Sequence, residues 1–376
     1  MSTEPVSSLL ARQYLEPGHW GAVEAKIWKQ NKALAAPIIP VEELTEVAIS
    51  TCMFALARAL GDLTHELELD RPIYWCVTRA KVVNAMIAGY RCPDMYCVVI
   101  SEGMINTVFY FTAAMMASEQ LSAYLADGSP PVELQQPSAR PRRDAWKKIA
   151  DEADENHSRD SVSRAFPISF LAMYFLMAHE VGHMAGGHLP LFANGFAVEA
   201  NGESNSGKAE NRALERDADG LAAGATVWLM GNEVFREDWK DILKDRDAAF
   251  RYFFVTAYIL FSIMDLFGPE DPFGEERTHP PAMVRIATMS YFLAGAFSQL
   301  GVFGFDEILD IGRAAIAAVE IAVMDLGGGM MEHDEAHRLH AEVGKHLEEH
   351  ATEWKGLEAR LDRRHLDKYY WSRALR

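Results

Sequence analysis

Residues Phe166–His188 read FPISFLAMYFLMAHEVGHMAGGH, a long apolar stretch that ends in three histidines and a glutamate. The apolar run has the length of a buried helix, and histidines at i and i+4, His179 and His183, fall on one helix face. Two imidazoles on one face can share one ion, and Glu180, the residue after the first of them, stands beside the coordination position they leave open. Burying two histidines and a glutamate in one apolar helix costs free energy unless they are paired or bind a metal, because each polar group gives up its water. Zinc suits this ligand set. It lowers the pKa of a bound water to about 7, and a neighbouring glutamate can then take the proton.

Zinc needs a third protein ligand, and the sequence offers two. His188 lies five residues beyond His183, where the HExxHxxGxxH pattern of metzincins requires six. Glu215, in ALERDADGLAAGA, has Asp219 one turn later on the same face, and such an aspartate could accept a hydrogen bond from a ligand imidazole and set its tautomer. The plain alternative for Glu215 and Asp219 is an acidic first turn, which the helix dipole favours. His188 as a closing fourth ligand would instead mark a structural zinc site. That outcome would describe a catalytically silent zinc-binding interaction or signalling protein.

Around this stretch, 376 residues with 49% apolar side chains suffice for a large core and exclude a wholly disordered chain. With 36 basic and 54 acidic residues the formal charge is −18, so nucleic acid is not an expected partner. Four cysteines are too few for a disulfide scaffold. The N-terminal residues lack a basic region followed by an apolar one, so no secretory signal is expected and the cytoplasm is the expected location. Residues 286–305 are uncharged, but Thr288, Ser290, Ser298, Gln299 and three glycines argue against stable membrane insertion. The apolar runs at 165–178 and 252–264 read as core helices.

Two β-rich runs, PIYWCV at 72–77 and YCVVI at 96–100, predict a small sheet. Residues 41–69 have the spacing of an amphipathic helix, and 127–160, with its four prolines and dense charge, reads as a surface loop or linker. A second polar stretch, 193–212, reads as a loop joining the two motif helices and placed to cover the site between them. Within it GESNSGKA, 202–209, falls one residue short of a phosphate-binding loop and lacks its preceding strand. The expected class is α+β and predominantly helical, one domain at 1–326 with a small β-sheet and an HExxH helix. A helical C-terminal tail at 327–376 could dock on a protein partner.

Four motifs in order resemble the gluzincin metallopeptidases that include the CAAX prenyl proteases, the bacterial heat-shock membrane protease and their soluble relatives. They are VVNAMIAGY with CVVISEGMI (82–90 and 97–105), HEVGHMAGGH (179–188), ERDAD (215–219) and THPPAMVRI (278–286). Met86 departs from the aromatic usual there, and the spans of the membrane members are missing. A looser likeness is to phage-exclusion metallopeptidases that cut a host protein. The gluzincin resemblance implies that 1–326 is a zincin-like metallopeptidase domain, a zinc-dependent endopeptidase acting on protein or peptide, with Zn2+ on His179, His183 and Glu215. It further implies Glu180 as general base, Asp219 orienting a ligand, His279 stabilising the oxyanion and Asn84 contacting substrate backbone.

Overall fold

In a computed structural model the chain is described over residues 71–87, 95–129, 143–153, 158–189, 205–268 and 279–328, with isolated positions elsewhere. Among these residues it is predominantly helical with one three-stranded sheet, ordered β1-β3-β2. Strand β1 (Ile73–Thr78) runs parallel to β3 (Tyr96–Ser101), with Trp75 opposite Val98, and β2 (Ala85–Ile87) pairs antiparallel to β3 through Met86 and Val99. Both predicted β-rich runs are strands, and β3 is buried along its whole length, as a central strand covered on both faces must be. The outer side of β1 is bridged by Tyr14 and Ile38, so among the described residues β2 is the other edge.

Strand β3 runs directly into α1 (Glu102–Met115), and Ser101 joins the two. Its hydroxyl accepts the Met104 N–H at 3.0 Å, filling one of the amide donors that a helix start leaves unpaired. It also accepts the Asn84 N–H at 3.2 Å and donates to the Val82 carbonyl at 2.5 Å. The segment before β2 is thereby tied to the start of α1. Gly103 completes the junction, because a β-carbon there would overlap the Lys81 carbonyl and lie 2.5 Å from that of Val82.

Two short helices follow, α2 (Glu119–Asp127) and α3 (Arg143–Glu152). The second corrects the reading of 127–160 as a linker: Ala145, Trp146 and Ile149 bury one face of a strongly amphipathic turn sequence. Trp146 stacks on Phe111 with centroids 5.7 Å apart. The apolar motif helix is α4 (Arg159–Ala185), capped by Ser158, and it starts earlier than the apolar run and continues through Pro167. Helix α5 (Asn205–Gly231) likewise begins inside the stretch read as a loop, so residues 205–212, Gly207 and Lys208 included, are helical. Their backbone is therefore not a phosphate loop. The rest of that stretch, the 41–69 helix apart from three positions, and most of the tail beyond 328 lie outside the described residues.

After α6 (Glu233–Asp238), α7 (Arg246–Leu266) packs on both α4 and α5, α8 (Ala282–Gln299) packs on α5 and α7, and α9 (Phe305–Gly327) packs on α7 and α8. Residues 286–305 do not form one helix, since α8 stops at Gln299 and Gly301 turns the chain at φ +65°. By length and composition α4 and α7 could each cross a membrane, but 72% and 61% of their apolar windows are buried inside the fold. Phe175 of α4 meets Phe261 of α7 edge to face at 5.5 Å, which is the contact of core helices.

Gly103→Ala should destabilise the protein by about 1–3 kcal/mol, since rigid backbone carbonyls rather than a flexible side chain stand in the way. Urea unfolding checks this, and a midpoint equal to that of the wild type would mean that the 81–84 segment yields at no cost.

Candidate metal centre

Helices α4 and α5 approach closely where Gly182 faces α5: a β-carbon at Gly182 would already be 3.4 Å from the Ala218 carbonyl and from the Leu221 side chain. That contact brings the two motif sequences together. His179 Nε2 lies 3.0 Å from His183 Nε2 and 3.1 Å from Glu215 Oε2, and His183 Nε2 is 3.4 Å from Glu215 Oε1. All three side chains are buried. Donor atoms around one tetrahedral ion held at about 2.0–2.1 Å are separated by about 3.3 Å, so this spacing and this N, N, O donor set fit zinc. Among the described residues they form the one group able to hold a metal ion.

Two further elements fix these side chains. His179 uses its other ring nitrogen, Nδ1, on Asp219 Oδ1 at 2.9 Å. Asp219 is itself gripped by Arg285 of α8 through two bonds, Nε to Oδ2 at 2.7 Å and Nη2 to Oδ1 at 2.6 Å, the forked geometry that only arginine offers a carboxylate. The Arg285 guanidinium also lies over the Phe261 ring, 3.9 Å from its centroid. The start of α8 is pinned by Asp265, which accepts the Ala282 N–H at 2.7 Å. Just before it, Pro280 and Pro281 carry His279 to within 3.2 Å (Nε2) of Glu215 Oε2. One short segment therefore supplies a partner to each end of the Glu215–Asp219 pair.

The electrostatics follow from burial opposed by these contacts. Desolvation alone would lower the His179 pKa, but Asp219 and Glu215 outweigh it and push it up to about 10 without a metal. Burial would raise Glu215 and Asp219, yet His279 and His183 hold Glu215 well below the usual carboxylate range and Arg285 holds Asp219 below it. Glu180 behaves the opposite way: burial dominates and pushes its carboxyl up. Desolvation lowers His188 despite the countering pull of Asp217.

The structure thus brings His179, His183 and Glu215 to one point, with Asp219 behind His179 and His279 at the half-exposed side. His188 is not part of that group. Its Nδ1 faces the far nitrogen of His183, Nδ1, at 3.0 Å, and its Nε2 contacts Asp217. Asn84 stands at the start of β2, the edge strand that packs against α4, and its backbone is bonded to Ser101. Sequence reasoning passed over Arg285 and Asp217. Arg285 carried a signal, a lone charge in the apolar run AMVRIATM that burial would oblige to find an acid.

Two helices that bring two histidines and a glutamate together beside a small sheet, with a second glutamate adjoining them, define a candidate metal centre of the kind used by hydrolases. The family model described as Peptidase U49 matches residues 75–299, more than half of the 376-residue chain, and the chain belongs to that family. Its membership is in a peptidase family, and the matched span runs from β1 to the end of α8, across every residue of the centre. No curated protein and no solved structure matches the chain.

Removing Arg285 while leaving Asp219 buried should be costly. Arg285→Leu is expected to destabilise by about 3–5 kcal/mol, since the aspartate then keeps its desolvation cost without its forked partner. The change is read by urea unfolding, and a loss under about 1 kcal/mol would mean that His179 alone satisfies Asp219.

Proposed function

We propose that the protein is a zinc-dependent endopeptidase of the gluzincin kind, with His179, His183 and Glu215 holding the ion. The observation that carries this reading is the convergence of three buried ligand atoms beside a buried glutamate. When bound, zinc polarises a peptide carbonyl and acidifies water.

Glu180 does the proton work of the chain. Its carboxylate takes a proton from the attacking water and hands it to the leaving amine nitrogen as the peptide bond breaks. The upward push of burial on its carboxyl favours this, because a base with a pKa closer to neutrality both accepts and releases a proton readily. Asp219 and Arg285 hold the His179 ring with its Nε2 toward His183 and Glu215, the side chains that with it would hold the ion. His279, whose side chain is 46% exposed, is the donor that faces the oxygen of the attacked carbonyl as negative charge builds there.

The substrate is a protein or peptide in extended form, added to the β2 edge beside Asn84 through backbone hydrogen bonds. Support comes from the sheet order, which among the described residues leaves β2 outermost on the side of α4. The net charge of −18 disfavours a nucleic-acid substrate. Burial of the apolar windows of α4 and α7 supports action without stable membrane insertion; the cytoplasm is the proposed location. The C-terminal tail from residue 327 would serve as a docking element for a protein partner. A catalytically silent zinc protein would call for a fourth protein ligand, and His188, engaged with His183 Nδ1 and Asp217, is not turned to supply one.

Purified wild type should carry about one zinc per chain, and Glu215→Gln should lose most of it on dialysis against metal-free buffer. Absence of zinc from the wild type would overturn the metal reading. Glu180→Gln should keep its zinc while cleavage of an unbiased peptide library falls by about 10²–10⁴-fold; full cleavage by that variant would remove Glu180 as the base.

A further inference from the structure

The turn that ends α4 builds a second hydrogen-bonded chain behind the site. Gly187 sits at φ +74°, a left-handed conformation that glycine adopts without steric cost. Around it, the His188 N–H bonds the His183 carbonyl at 2.9 Å and the Gly187 N–H bonds the Met184 carbonyl at 3.1 Å. These are the six-to-one and five-to-two bonds of a Schellman cap, in which the side chain just past the turn meets the one five residues earlier. That contact is ordinarily apolar. Here it joins His188 to His183, with Nδ1 to Nδ1 at 3.0 Å, and His188 is wholly buried.

Gly186 makes room for this arrangement, since a β-carbon there would lie 2.5 Å from His188 Nε2. The same Nε2 is 3.0 Å from Asp217 Oδ2. Asp217 belongs to α5, the helix that carries Glu215 and Asp219. Two neutral imidazoles facing each other through Nδ1 must place one proton between them, and only one ring can donate it.

We infer that Asp217 and His188 are positioning residues that act through His183, fixing the tautomer that leaves His183 Nε2 free to bind the metal. The carboxylate of Asp217 accepts from His188 Nε2–H, so the lone pair of His188 is on Nδ1. His183 must then donate from Nδ1, and its own lone pair is on Nε2, the atom 3.0 Å from His179 Nε2. His179 obtains the same result directly from Asp219. The two histidine ligands are thus oriented by two carboxylates of one helix, one in contact and one relayed through a third ring. The spacing of five between His183 and His188, one short of the metzincin pattern, is what a Schellman cap requires. The inference rests on the reading of His179, His183 and Glu215 as a metal site.

Two measurements on the full chain test it. In the metal-free wild type, ¹⁵N-detected histidine shifts should report His183 protonated on Nδ1 and His188 protonated on Nε2. A His188 proton on Nδ1 overturns the relay, whatever the variants do. Zinc affinity, by competition with a chromophoric chelator, should fall by roughly 10–100-fold in Asp217→Ala and in His188→Phe. The double variant should be no weaker than either single one, because both remove one chain. Asp217→Asn should recover most of the affinity, since its amide oxygen accepts the same hydrogen bond. Unchanged affinity in Asp217→Ala, or additive losses in the double variant, overturns the relay. A wild type that binds no zinc refutes the metal site instead, and the tautomers then decide the relay alone.

Discussion

Ionised side chains cannot remain inside an apolar helix bundle unless something replaces the water they have lost, and here Glu215, Asp219 and Arg285 are all nearly dry. Each is answered by another buried group: Asp219 by Arg285 and His179, and Glu215 by His179, His183 and His279. Much of the architecture serves that requirement. Gly182 lets α4 and α5 come close enough for Glu215 to face the histidines, and α8 starts where it does so that one segment delivers both His279 and Arg285. Loosening any of these packings would expose a charge without solvating it, so the centre and the core stand or fall together.

The three-helix arrangement also separates chemical roles by burial. Glu215 and Asp219, each facing basic partners, are pushed down in proton affinity and suited to ligation and orientation. Glu180, where burial outweighs the attraction of the histidines, is pushed the other way, toward the behaviour of a proton carrier. Three carboxyl groups of one cluster are thus driven apart in proton affinity. Membership of a peptidase family agrees with such a division of labour, because peptide hydrolysis needs a group that gains and loses a proton.

Much of this was legible in the chain. A histidine pair at i, i+4 has to share a face, and an acid pair at the same spacing does too, so HEVGH and ERDAD each present a coherent surface before any packing is known. The two strands were legible because β-branched and aromatic residues are concentrated in short runs. Helix α3 was hidden by the charges and prolines around Trp146, and the first turns of α5 by glycine, asparagine and serine. In both cases composition argued for loop, while burial of one apolar face, or continuation of a long packed helix, decided for helix.

What the sequence by itself determined is the chemistry within each element: which side chains share a helix face, where glycine allows the chain to turn, and that buried histidines and acids must find partners. Those are consequences of helical geometry and of desolvation, and they act over a few residues. Only the tertiary structure decided which partners meet. Arg285 grips Asp219 across 66 residues, and His188 turns from candidate ligand to neighbour of Asp217 across 29. Such pairings depend on how closely two helices approach and at what angle. These quantities are set by the packing of side chains from the whole core, and no local spacing encodes them.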